Sequence, residues 1–180
     1  MNQHVIIFSS ARSQGNTRQA ADTLARHLGA QFIDLDAYQI NPYRYDIREQ
    51  SDDFRALITR LLEFDHWVFA SPVYWYNTTP QMKAFFDRLT EYMDQPQLRS
   101  QLRQLRTKQA SLLSTSYTER APQAFVDPFI HTVTYLGMQF VTHYHAGAAD
   151  PESVAVQYPK RQMWWRKLYA LLNTQAGLIK

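Results

Sequence analysis

Short apolar runs and longer stretches of helical period alternate five times along this chain, and no other feature restricts its fold so sharply. Val5-Ile6-Ile7-Phe8 is apolar at every position, the pattern of a strand covered on both faces. Thr17 to Leu28 predicts a helix with Ala20, Ala21, Leu24 and Leu28 on one side and Gly29 past its end. Phe32-Ile33-Asp34-Leu35 predicts a second strand, followed by a surface loop from Asp36 to Gln50. Ser51 reads as an N-cap, with Asp52 and Asp53 in the first turn beside the positive end of the helix dipole. Phe54, Leu57, Ile58, Leu61 and Leu62 then recur at helical spacing. His66 to Ala70 is the third strand. Thr79 caps the next helix, with Pro80 in the first position, where a missing N–H costs nothing, and with Met82, Phe85, Phe86 and Leu89 as its buried stripe. Ala110 to Leu113 and Met138 to Tyr144 complete the strands, with a helix through Phe125, Phe129, Ile130 and Val133 between them, closed by Gly137. Trp164, Leu168, Leu171 and Leu172 mark a last helix.

Such alternation implies a parallel sheet with helices on both faces. Right-handed crossovers leave few arrangements, and five strands favour the flavodoxin-like order 2-1-3-4-5, a three-layer sandwich. The expectation is a single domain over residues 1–180. Ligands of such sheets sit at the carboxyl ends of the strands, beside the switch point between the first and third. The loops after Phe8, Ala70 and Leu113 therefore hold the chemistry.

Composition narrows that chemistry. There is no cysteine, which leaves no disulfide, no thiolate nucleophile and no cysteine-held cluster. Lys and Arg number 19 against 16 Asp and Glu, too small an excess to indicate a nucleic-acid partner. The most basic stretch, QLRSQLRQLRTK, places Arg99 and Arg103 four apart, as on a solvated helix face, and reads as a wet connector. No run reaches the length of a membrane span, and the start lacks a secretory signal, so the expectation is a cytoplasmic protein.

The loop SSARSQGNTR, Ser9 to Arg18, leads straight into a helix N-terminus, whose unpaired N–H groups and partial positive charge suit an anion. Ser10, Ser13, Asn16 and Thr17 add side-chain donors, Arg12 adds charge, and Gly15 permits close backbone approach. Neither a Walker Gly-Lys-Ser/Thr nor a G-x-G-x-x-G is present, so one phosphate group is the better fit; a polar turn with ordinary capping is the other reading. After the third strand, SPVYWYNTTPQMKAFFDRL sets Tyr74, Trp75 and Tyr76 in a row behind Pro72 and Val73. Neighbouring side chains of a strand face opposite ways, so three adjacent rings cannot all enter one core. They offer a wall for a planar ligand, or else a packing or subunit contact.

Together the two stretches resemble the NAD(P)H-dependent FMN reductase and quinone reductase families of flavodoxin-like fold. Those families carry G-S-x-R-x-x-(G/S)-N-T after the first strand, and S-P-x-Y followed by M-K-x-x-x-D-R after the third. The resemblance implies FMN as cofactor and NADPH or NADH as reductant, with a small electron acceptor: a quinone, free flavin, azo or nitro compound. Ser10, Arg12, Ser13, Gly15, Asn16 and Thr17 would hold the FMN phosphate, and Pro72, Val73, Tyr74, Trp75 and Tyr76 would border the ring system. Ser114, Thr115 and Ser116, in the loop after the fourth strand, would reach its pyrimidine edge. A homodimer or homotetramer is implied too. Ser9 stands where the family often has glycine, and STSYTER lacks the glycine pair of many relatives. The alternatives are a flavodoxin-type electron carrier, which a chain of net charge +3 fits poorly, and a cofactor-free binding module of the same fold.

The remaining features read more plainly. His143 and His145 share one face of the fifth strand near its carboxyl end, as a polar strand end or a substrate contact; two ligands without a further partner make a poor metal site. Asp87 and Arg88 read as a surface or interface pair, and Trp164-Trp165 as packing of the terminal helix.

Overall fold

Alternate residues of each central strand enter different cores, because both faces of the sheet are covered. The computed structural model describes residues 3–46 and 50–147. Its strands are β1 (His4–Phe8), β2 (Gln31–Asp34), β3 (His66–Pro72), β4 (Gln109–Ser116) and β5 (Gln139–Gly147), parallel and in the order β2-β1-β3-β4-β5. Ile6, Phe8, Val68, Ala70 and Leu113 meet Ala20, Ala21 and Leu24 of α1 (Asn16–Leu28) on one face. Val5, Ile7, Trp67, Phe69, Ala110 and Leu112 face the other way. They pack against α2 (Phe54–Leu61), α3 (Pro80–Arg88) and α6 (Gln123–Tyr135), with Phe69 at the centre of a ring cluster formed by Phe85, Phe86 and Phe129. The flavodoxin-like sandwich expected from the alternation is the fold observed.

Several local expectations held. Gly29 ends α1 in the left-handed conformation, its N–H donating to the Ala25 carbonyl, a conformation glycine adopts without a Cβ penalty. The Thr79 hydroxyl accepts from the Met82 N–H at 3.3 Å, with Pro80 in the first position of α3.

Others need correction. β3 and β4 run two and three residues beyond the expected ends, so Pro72, Ser114, Thr115 and Ser116 belong to strands and not to loops. The apolar run stops early in both, but backbone pairing continues through Ser71–Ser114 and Pro72–Thr115, because side-chain polarity does not weaken a ladder formed by the main chain. A short helix, α4 (Thr90–Asp94), precedes the wet connector, and the connector itself contains another, α5 (Arg99–Arg103), followed by a 3₁₀ turn that buries Leu105.

Ser51 is not the cap of α2; Asp53 precedes the helix and Asp52 has a different task. Nor is Arg88 a surface residue. It is fully buried, with Asp52 and Glu91 as its ion-pair partners, whereas Asp87 pairs with Lys83 at the surface. Arg88 also donates to the Asn41 carbonyl at 3.1 Å, and Asp52 accepts from the Asn41 N–H at 2.9 Å. The pair thus staples the long loop before α2 to the end of α3. Burial works against the Asp52 carboxylate, but hydrogen bonds from Arg88, Asn41 and Phe54 outweigh it and hold its pKa below the ordinary value. The expected terminal helix, with Trp164-Trp165, lies outside the described residues.

Candidate functional site

The carboxyl ends of β1, β3 and β4 bring the two motif loops to one end of the sheet, and α1 begins there. Gly15 occupies the N-cap position of α1; it has no side chain to cap the helix, and no acidic residue follows in the first turn. A 13-residue helix therefore presents its N–H groups and the positive end of its dipole without an internal acceptor from the cap. The closeness of Gly15 serves the loop itself: a Cβ there would lie 3.1 Å from the Arg12 Cβ. The Gly15 N–H donates to the Arg12 carbonyl at 3.2 Å, which makes residues 12–15 a tight turn. Arg12 and Ser13 are exposed around this turn and Asn16 is half-buried.

Ser10 and Thr17 face inward. The Ser10 hydroxyl accepts from the Arg12 N–H at 3.3 Å, and Thr17 shares a hydrogen bond of 2.5 Å with Thr115 at the end of β4. Ser9, at the position where the family often has glycine, hydrogen-bonds to the capping Thr79 at 2.6 Å. Two buried hydroxyl pairs thus fasten the first loop to the segments following β3 and ending β4. Sequence reading missed both, since Ser9 and Thr79 are 70 positions apart and Thr17 and Thr115 are 98 apart.

The aromatic row has an unusual backbone. Tyr74 and Asn77 exchange both N–H···O bonds at 2.8 Å, closing a two-residue turn around Trp75 and Tyr76. Those two residues have φ of 48° and 62°. Positive φ at both central positions is the pattern of a type I′ turn, a conformation that normally calls for Asn-Gly. Trp75 is 94% exposed and Tyr76 63%, so neither ring closes the core; Tyr74 is half-buried. Pro72 lies buried at the end of β3, and the Val73 N–H donates to the Thr115 carbonyl at 2.9 Å, holding the base of the turn against β4.

At the end of β4, Ser114 is fully buried. Its hydroxyl lies 2.9 Å from His143 Nε2 and 2.8 Å from His145 Nδ1 on β5. Thr115 is committed to Thr17, which leaves Ser116, half-buried, as the member of the three nearest the loop beyond the strand. Burial, and then its neighbour His145, push the His143 pKa down to about 4; burial also lowers that of His145, partly offset by the Thr118 carbonyl. Both rings are neutral at pH 7. Among the described residues, no three His, Cys, Asp or Glu side chains gather as a metal site, and no helix is long and apolar enough to cross a membrane.

Comparison with known proteins agrees with this geometry. A family model described as NADPH-dependent FMN reductase matches residues 3–151. YwqN of Bacillus subtilis (strain 168), whose name assigns it provisionally as an NAD(P)H-dependent FMN-containing oxidoreductase, is 27% identical over 144 residues, covering 75% of this chain and 79% of its own. Among solved structures, the Trp repressor binding protein of Bacillus subtilis superposes with a TM-score of 0.68 at 22% identity, over 86% of this chain and 90% of that one. General stress protein 14 of Treponema denticola, solved in complex with FMN, gives a TM-score of 0.62 at 17% identity over 92% and 99% of the two chains. These structural matches establish a shared fold, and the match over most of the sequence establishes the lineage: the chain belongs to the NADPH-dependent FMN reductase family.

Proposed function

We propose that this protein is an FMN-dependent reductase that draws on NAD(P)H and delivers electrons to a small, flat acceptor such as a quinone, free flavin, azo or nitro compound. The observation that carries this reading is the pairing, at one end of the sheet, of a helix N-terminus capped only by Gly15 with the exposed rings of Trp75 and Tyr76. The residues fit FMN: donors for a single phosphate stand at the start of α1, and a flat apolar wall stands after β3. FMN held there would supply the redox chemistry, hydride uptake from the nicotinamide and electron delivery to the acceptor, so no side chain need act as acid or base.

The chain's own contribution is to bind and orient. Arg12, Ser13, Asn16 and the N–H groups of Asn16 and Thr17 would hold the phosphate, Arg12 by a charge-assisted bond. Ser10 and Thr17 shape that loop from beneath, through the Arg12 N–H and Thr115. Val73, Tyr74, Trp75 and Tyr76 would border the ring system, with Pro72 fixing the base of the turn. Ser116 and the backbone after it stand on the β4 side, above Ser114 and Thr115. One domain in a homodimer or homotetramer, in the cytoplasm, completes the proposal, a second copy covering the rings that a monomer leaves in water.

The experiment is an absorption spectrum of the purified protein before and after anaerobic addition of NADPH or NADH, with identification of the flavin released on denaturation. Bound FMN bleached by either nucleotide supports the reading. Release of FAD, or failure to bind FMN on reconstitution, overturns it.

A further inference from the structure

We propose that His145 is a positioning residue for the cofactor: from the edge strand β5 it holds the loop after β4, residues 117–120, in place as the wall of the crevice opposite the aromatic turn. The inference rests on the FMN reading of the crevice given above. It starts from the hydrogen-bond directions. His145 Nε2 lies 3.1 Å from the Thr118 carbonyl, which can only accept, so this nitrogen carries the proton. In a neutral imidazole Nδ1 is then an acceptor, and the Ser114 hydroxyl 2.8 Å away must donate to it. Having one proton, the Ser114 oxygen can only accept from His143 Nε2 at 2.9 Å. The result is a directed chain from His143 through Ser114 to His145 and on to Thr118. Ser114, fully buried, sets the tautomer of His145, and that tautomer aims an N–H at the loop.

A second observation places the same loop independently. A Cβ on Gly147, two residues along β5 from His145, would stand 2.1 Å from the Thr118 carbonyl oxygen and 2.4 Å from the Glu119 Cα. The loop therefore lies directly on the β5 backbone, at a spot only glycine leaves open. Within the loop, Thr118 N–H donates to the Ser116 hydroxyl at 3.2 Å, and Ser116 Oγ lies 3.0 Å from His145 Nε2. Ser116, Thr118 and His145 thus form one unit. Since the Val73 N–H binds the Thr115 carbonyl, that unit abuts the segment that carries Trp75. Burial that keeps both histidines neutral preserves the direction of the chain at pH 7.

The test compares wild type with His145→Ala, His145→Gln and Gly147→Ala. Gln places an amide N–H near the former Nε2 and can still donate to Thr118. Loss of one hydrogen bond corresponds to about a tenfold change. In the apoprotein, amide exchange in residues 117–120 should quicken by about tenfold in His145→Ala and Gly147→Ala. FMN affinity by fluorescence titration should fall by about tenfold in the same two variants, with a shift in the visible spectrum of bound FMN, and His145→Gln should recover most of both. If wild type binds FMN and His145→Ala binds it equally well, with the same spectrum, the inference fails while the proposed function stands. It fails also if His145→Gln is no better than His145→Ala. If wild type binds no FMN, the function proposed above is the one at fault, and this role falls with it.

Discussion

Trp75 and Tyr76 sit where a hairpin turn wants Asn and Gly, and replacing them with that pair should make the apoprotein more stable and the cofactor site worse. Each residue is held at positive φ, 48° and 62°, a region that costs a residue with a Cβ about 1–2 kcal/mol. Trp75, 94% exposed, and Tyr76, 63% exposed, recover little of that cost through burial. Trp75→Asn with Tyr76→Gly relieves most of the strain, and the added freedom of glycine in the unfolded chain returns roughly 0.5–1 kcal/mol. The net gain should be about 2 kcal/mol, which for a domain of this size raises Tm by roughly 5 °C. Binding should move the other way. Losing ring burial and stacking should cost about 2 kcal/mol, near thirtyfold in FMN affinity. Differential scanning calorimetry of the flavin-free protein reads the first effect and fluorescence titration the second. A variant that melts at or below the wild-type temperature would refute the strain. Unchanged FMN affinity would show that the rings serve another contact, such as a second copy of the chain.

Arg88→Met should destabilise the fold by about 3–5 kcal/mol, because it leaves the buried Asp52 carboxylate without its cation and Glu91 with Arg55 alone; a loss below about 1 kcal/mol in urea would contradict that role. Burial, and then the neighbouring His4, push the His66 pKa down to about 3, against 6.5 for the unfolded chain. The unfolded state therefore takes up a proton first, so this contribution is full above pH 6.5 and is lost as pH falls toward 3. Between pH 7 and 5 it should remove about 2 kcal/mol of stability, a drop that His66→Gln should reduce. Arg12→Ala should weaken FMN binding by about 1–3 kcal/mol without lowering the apoprotein Tm, since the side chain is exposed; equal affinities would remove Arg12 from the phosphate site. Thr17→Val should show the opposite balance, a loss of about 1–3 kcal/mol in stability from the unpaired Thr115 hydroxyl with a smaller loss in affinity, and urea unfolding beside titration separates the two.

The sheet order was legible because it follows from local pattern. Val5 to Phe8 is apolar throughout since both its faces are covered, and Thr79-Pro80 announces a helix start through the chemistry of one cap. What could not be read are features made by residues distant in sequence. Arg88 looks like any exposed cation on a helix, and only the fold brings Asp52 beside it, 36 positions away. His143 and His145 were visible as a pair on one face, but their partner Ser114 comes from the neighbouring strand, in a register that a β-bulge between Ala110 and Ser111 shifts by one residue. The strand ends at Pro72 and Ser116 were missed for a related reason: hydrophobic periodicity reports burial of side chains, whereas these residues are strand by main-chain pairing alone.

Two departures from local rules lie together at one end of the sheet, and their proximity is itself informative. Gly15 begins a helix without a capping side chain, and Trp75 and Tyr76 hold a glycine-type turn with two aromatic residues. By contrast, α3 starts as local rules ask, with the Thr79 hydroxyl accepting from the Met82 N–H and Pro80 in the first position. Ser9–Thr79 and Thr17–Thr115, both buried, connect the uncapped helix start to the segments bearing the strained turn and the end of β4. Neither defect can relax without disturbing the other, because the loops that would have to move are cross-linked through the same hydroxyls. A ligand with an anion at one end and a flat ring at the other would meet the unpaired N–H groups and the exposed aromatics together. The stability given up at both positions is then recovered on binding, which is the thermodynamic signature of a site formed in advance of its cofactor.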